Sequence, residues 1–474
     1  MPRRIGEYET HEKAGGNGDE HPGSQRDAPQ RHLDRVNDNG KQAKSRKLDR
    51  IVASAPSQAA STPSRLSAVG PAILLTATSV GAGDILTGSL AGANAGMAVL
   101  WAVPAGVLLK WTLTEGIARW QMATGMTLLE GWVLRLGRWI QWVFLAYLLL
   151  FTLVTGAMLA SACGIAATAV LPLSSVAQDS RFWWAAVHAL SGMGLVWFGG
   201  YEALKRVLAV CVGAMFFTVV LTAFLLAPDF AAVGRGLIPS LPSTQASGWV
   251  VGLIGAIGGT MALVSYGYWI REEGRTGVEG LKACRFDITL SYIVIGIFGM
   301  AVVIIGSRVQ VKGQGTGLAL LLAEQLARSL GSAGKWIFLA GFWSAVTSAM
   351  LGVWQSLPYL FADFLALRRG QSTRDASPGE VERSRAYRGY LIAISTVPLV
   401  LVRWPVEQLQ LAFGLTGAML LPLLSLTLLI MNNRVAWVGK TFQATRVLNL
   451  ILAAALVFFA SVGIREILQL LTRK

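Results

Sequence analysis

Charge is scarce in this chain. Only 14% of its 474 residues are Asp, Glu, Lys or Arg, whereas a soluble domain carries nearer to about 25%. That scarcity excludes an ordinary water-soluble globule. Cysteine is scarcer still. Cys163, Cys211 and Cys284 are the whole set. They sit in or beside apolar stretches, with neither metal-ligand spacing nor a disulfide pattern. There are four histidines, three of them (His11, His21, His32) in the polar N-terminal stretch, too few for a histidine-based metal centre. No nucleophile elbow, phosphate loop or cluster of metal ligands is present. We therefore expect neither an enzyme nor a bound cofactor.

What is abundant is apolar sequence. Hydrophobic residues make up 53% of the chain, and the mean hydropathy is +0.53. They come in blocks of the ~20 residues needed to cross a hydrocarbon core. The expected class is an all-α polytopic membrane protein with the lipid bilayer as its surroundings. The net charge of +15 could suggest nucleic acid, but Lys and Arg fall in alternate loops, which is a topology signal. No nucleic-acid partner is expected.

Residues 1–66 are rich in Gly, Asp, Glu, Arg, Gln and Ser. Such a stretch buries too little apolar surface to offset its ordering entropy. It reads as a disordered cytoplasmic tail, and no apolar run follows its first basic residues as in a signal peptide. The cluster Lys41, Lys44, Arg46, Lys47 and Arg50 suits anionic headgroups. Beyond the tail, eleven spans are expected near 67–93, 96–120, 139–171, 182–199, 203–227, 247–270, 284–307, 333–366, 387–403, 408–432 and 444–468. They are numbered 1 to 11 below. Spans 3 and 8 are long enough to tilt or project. The loops after spans 2, 4, 6, 8 and 10 carry most of the basic residues, for example Arg135 and Arg138, Lys205 and Arg206, and Arg368 and Arg369. This alternation predicts a cytoplasmic N-terminus and an external C-terminus in a cell inner or plasma membrane.

One acid breaks the apolar pattern. Asp84 lies in the middle of span 1, with Gly81, Gly83 and Gly88 around it. A charge at mid-bilayer costs about 2.5–3.5 kcal/mol on insertion scales and normally faces a cavity or a partner. Glycines there weaken the helix and leave carbonyls to line such a cavity. The structural alternative is a helix kink around a packed, paired Asp. Span 6 has its own cluster, Gly252, Gly255, Gly258, Gly259 and Gly267, although glycine is common wherever membrane helices pack closely. Two Gly-interrupted segments five helices apart point to an inverted-repeat transporter with its site at the breaks. The expected division is a first repeat over 67–231, a second over 246–433, and an eleventh helix over 442–471.

These stretches resemble a known family. The segment GPAILLTATSVGAGD resembles the opening motif, around Asp-Pro-Gly-Asn, of the Nramp (natural resistance-associated macrophage protein) divalent metal transporters. LWAVPAGVLLKWTLTEGIARWQMATG resembles their second helix and the following loop. The run from Gly199 to Asp229 resembles their fifth helix and MLLPLLSLTLLIMNNR their tenth. The resemblance spans roughly residues 66–470. It implies a LeuT-type fold of five plus five inverted helices with one extra, and a divalent metal ion as cargo. The site motifs diverge. Asp84 stands at the fourth position of the opening motif, and Gly81 at the first, where the family has its acid. In place of the family's Met-Pro-His on span 6 stand Ala262, Leu263 and Val264. Met261 is one residue off and is expected to pack, since helix neighbours point about 100° apart. Span 3 has Thr155-Gly156-Ala157-Met158 where the family carries acids tied to proton movement, so the usual proton coupling is in doubt.

The remaining donors are oxygens: Asp84, Thr78, carbonyls near Gly81 and Gly259, the backbone at Ala262, and Ser265. Oxygen donors favour hard ions, and thioethers favour softer ones. Mg²⁺ or Mn²⁺ is therefore expected ahead of Fe²⁺. Glu115, Glu272 and Glu273 are candidates for a vestibule or gate. Glu115 with Arg119 one turn on is also a standard i,i+4 ion pair. His188 is expected to be packed and hydrogen-bonded, and Trp269 to fill space. Two further readings stay open: a transporter of the same fold for an organic cation or amino acid, and a non-transporting sensor or scaffold.

Overall fold

The computed structural model describes residues 81, 83–198, 213, 215–226, 229–240, 244–308, 318–371 and 379–472. The expected tail at 1–66 and the candidate Thr78 lie outside the described residues, as does Cys211. The described residues fold into helices, with no strand among them. Five of these helices are long and apolar enough to cross a membrane, or seven if each of two bent pairs is one span. The other expected spans fall on helices that are shorter, more polar or only partly described.

Span 1 is described at Gly81 and from Gly83 onward. A π-turn over Gly83–Thr87 runs into a helix over Gly88–Ala95. Gly96, at φ 63°, then stops the helix, because glycine alone accepts that conformation cheaply. The sequence predicts span 2 from 96, but its helix is Ala102–Thr124. A 3₁₀ turn over Gly96–Val99 follows the glycine, and the segment Gly83–Val99 meets span 2 at 106°, which puts the boundary after that turn. Span 3 is one helix of 33 residues, Arg138–Val170. That is about 50 Å at 1.5 Å per residue, longer than a hydrocarbon core. Span 4, Ala177–Phe198, and span 7, Gly277–Gly306, begin several residues earlier than the hydropathy suggests, because their first turns are polar. Span 8 crosses over Gly331–Arg368. In span 9 the helix Arg385–Thr396 tightens into a 3₁₀ turn at Val397–Leu401, where Pro398 lacks an N–H to continue the ladder. Span 10 is Val406–Asn433 and span 11 Arg446–Thr472.

Span 6 is broken as predicted. Its halves, Thr244–Ala256 and Thr260–Glu272, meet at Gly258 and Gly259, whose φ angles are 69° and 57°. The break is held by close backbone packing. A Cβ on Gly255 would collide with the Gly414 carbonyl oxygen of span 10, and one on Gly417 would lie 2.8 Å from Thr260 Oγ1. Small residues at the crossing let the two backbones touch, as close packing of membrane helices requires.

Candidate functional site

Span 1 positions its acid through backbone geometry. Asp84 is 1% exposed. One carboxylate oxygen accepts from the Gly81 N–H at 3.3 Å, the other from the Gly258 N–H of span 6 at 3.0 Å. The acid thus ties span 1 at Gly81 to the break of span 6. The Gly81 carbonyl, expected to be free, accepts from Ile85 N at 3.1 Å, an α-type i→i−4 bond that consumes it. The span 1 glycines also serve packing. A Cβ on Gly81 would lie 2.6 Å from Ala349 Cβ, and one on Gly83 2.7 Å from Phe413 Cε1.

The freed carbonyls are on span 6, and they already hold a cation. Lys110 of span 2 is fully buried. Its Nζ donates to Gly255 O at 2.9 Å, to Ile257 O in a short contact, and to Thr260 Oγ1 at 3.4 Å. Sequence reasoning misses this residue. The signal is there, since a lysine among apolar residues in mid-span obeys the same rule that singles out Asp84.

A cavity of about 60 Å³ lies beside the span 6 break and the start of the described part of span 1, room for a few water molecules. Spans 1, 3, 6, 8 and 10 enclose it. Of the expected donors, Gly81, Gly259, Ala262 and Ser265 line it; Asp84 and Lys110 are not in its lining. Thr155 of span 3 and Thr260 are added. Thr155 Oγ1 and Ser265 Oγ are both buried with no hydrogen-bond partner. Met158 and Met261 also border the cavity, so its wall is not free of sulfur-bearing residues, contrary to expectation. Met261 is 3% exposed and packed in the core as expected, yet it borders the cavity together with its helix neighbour Ala262. Trp269, Phe151 and Phe413 complete an aromatic side. Among the described residues no group of three or more His, Cys, Asp or Glu side chains converges.

The candidate gate acids lie elsewhere. Glu115, 1% exposed, is bound by Arg119 and by Arg285 of span 7, the latter at 2.8 Å. Arg119 also caps the Gln443 carbonyl at 3.0 Å. Glu273 is exposed, 3.7 Å from Arg275, and the Glu272 side chain lies outside the described set. His188 is packed as expected. Its Nε2 accepts from Trp343 Nε1 at 2.7 Å, and its Nδ1 bonds the Trp184 carbonyl at 2.7 Å.

A helix interrupted beside a small central cavity, with a buried acid of a second span bound to the break, is the arrangement found in secondary-transporter membrane bundles. A family described as natural resistance-associated macrophage protein-like matches residues 72–469, and the chain belongs to that family. Solved structures agree on the fold. A manganese transporter from Eremococcus coleocola superposes with a TM-score of 0.63 at 16% identity, covering 84% of this chain and 87% of that one. The same transporter bound to an aromatic bis-isothiourea compound gives 0.61 at 17% identity, over 83% and 84%. MhsT, in complex with L-phenylalanine, gives 0.51 at 14% identity, over 87% and 99%. Among curated protein sequences, none matches the chain. The architecture is the LeuT-type five-plus-five inverted repeat with one extra helix.

Proposed function

We propose that this protein is a secondary transporter that moves a divalent metal cation by alternating access at the cavity between the breaks of spans 1 and 6. One observation carries the reading. Thr155 and Ser265 present buried, unpartnered hydroxyl oxygens beside that cavity. A buried hydroxyl without a partner loses about 1–3 kcal/mol, and a cargo with bound water repairs both at once. Oxygen donors that do not strip the ion suit Mg²⁺ or Mn²⁺, which keep their waters, ahead of Fe²⁺. Asp84 acts from behind the cavity wall, through the Gly258 peptide. The usual proton coupling is absent in this reading, because the span 3 stretch Thr155–Met158 offers no titratable group. The loop charges put the N-terminus in the cytoplasm and the C-terminus outside, and the repeats run over 67–231 and 246–433.

The test is uptake of Mn²⁺ and Mg²⁺ into proteoliposomes, with calorimetric titration of a panel of divalent ions. Uptake without luminal acidification is expected. A proton signal tied to metal uptake would refute the coupling claim. A second reading rests on the lining itself, which has three aromatic rings and, among the described residues, no charged side chain. An organic cation or amino acid would suit that wall. Binding of an amine, with no response to any divalent ion, would establish it in place of metal.

A further inference from the structure

The strongest unassigned feature is Lys110. Its three N–H donors meet three oxygens, the Gly255 and Ile257 carbonyls and Thr260 Oγ1, which is the full donor capacity of an ammonium. Thr260 Oγ1 itself donates to Gly255 O at 2.7 Å, so its lone pairs are left for the lysine. The next peptide completes the arrangement. The Ile257 carbonyl points at Lys110 and the Gly258 N–H, on the other side of the same trans peptide, points at Asp84. A planar trans peptide holds these two groups in opposite directions, so one dipole links cation and anion. The seat is therefore neutral oxygens in the first layer and a single carboxylate behind them. That is the charge pattern of a monovalent cation site.

We propose that Lys110 is a tethered monovalent cation, occupying a site at the break of span 6 that would otherwise take Na⁺ or a similar inorganic ion. Its ammonium, tethered to span 2, balances Asp84. The protein then needs no monovalent co-ion to hold span 1 to the break of span 6. The inference goes beyond the cargo proposed above and does not depend on it, because its readout is stability and not flux.

The test uses the full chain purified in detergent, with Lys110→Ala and Lys110→Met. Thermal unfolding is followed in choline chloride, NaCl, KCl and LiCl at equal ionic strength. The wild type should unfold at one midpoint in all four salts. Lys110→Ala should unfold lower in choline and recover, saturably, with at least one small alkali cation. Lys110→Met, which fills the seat with apolar atoms, should recover less. The double variant Lys110→Ala/Asp84→Asn should lose the cation dependence, having no charge to balance. A wild type that already responds to Na⁺ overturns the proposal. So does a Lys110→Ala protein that is folded yet equally stable in every salt. If Lys110→Ala yields no monodisperse protein in choline, expression and purification are repeated in each alkali salt and in ammonium chloride. Absence of rescue by all of them counts against the tethered-cation role equally.

Discussion

At the centre of the bundle, Asp84 and Lys110 are held by backbone. Two N–H groups bind the acid, and two carbonyls with a hydroxyl bind the amine. Further along span 2, Glu115 is held by side chains, the guanidinium groups of Arg119 and Arg285. Glu130 with Arg271 at 2.8 Å, and Asp287 with Arg275, repeat that second style around the ends of spans 6 and 7. The contrast separates two ways of stabilising a buried charge, one that locks it and one that does not. Arginine forks fix helices to one another with bidentate geometry. Peptide dipoles at a break leave the charges on elements that can move as the halves of the helix move. The ion-paired region braces the bundle, and the broken centre is where a binding event can change it.

Substitutions at the two kinds of site should differ in size. Asp84→Ala removes the acid and leaves Lys110 uncompensated. Losing one member of a buried charge pair costs about 3–5 kcal/mol, so a large fall in the thermal midpoint and loss of metal flux are expected. Unchanged flux in folded Asp84→Ala protein would take the acid out of the mechanism. Glu115→Gln should cost less, about 1.5–3 kcal/mol for hydrogen bonds to charged groups, since the amide oxygen can still accept from the buried Arg119 and Arg285 keeps 42% side-chain exposure and can rehydrate. Flux per folded molecule should stay near wild type. A selective change in metal affinity there would mean that the brace also gates. Thr155→Val with Ser265→Ala should leave folding unharmed, because both hydroxyls are unpartnered. Cargo affinity should fall about tenfold, the equivalent of ~1.4 kcal/mol; titration showing no change would remove the hydroxyls from the site. Glu273→Gln should do least. Its partner lies at 3.7 Å and the acid is exposed, so a stability change within about 0.5 kcal/mol is expected, and a larger one would extend the ion-paired brace to the rim.

Much of the centre is legible in the amino-acid sequence. Gly258 and Gly259 announce the break of span 6, because adjacent glycines in mid-span weaken the helix and accept the positive φ that a break requires. Glu115 and Arg119 announce an ion pair by their spacing. Arg285 is not foreseeable as the second partner, since it lies 170 positions away in the chain and only the packing of span 7 on span 2 brings it in. The shifted boundaries at spans 2 and 9 share one cause. Hydropathy registers where apolar residues stop, whereas Gly96 and Pro398 end helices by backbone geometry while the sequence is still apolar.

The class of the molecule, the break of span 6 and the presence of one acid beside it all follow from local quantities along the chain. Those quantities are run length, glycine content and the cost of a charge in hydrocarbon. What the acid faces is a matter of tertiary packing. Asp84 is expected to reach the cargo, yet it turns to Gly258, and Lys110, from the neighbouring span, takes the carbonyls freed by span 6. Which oxygen meets which charge depends on how three separate spans cross, and no spacing along a chain encodes a crossing.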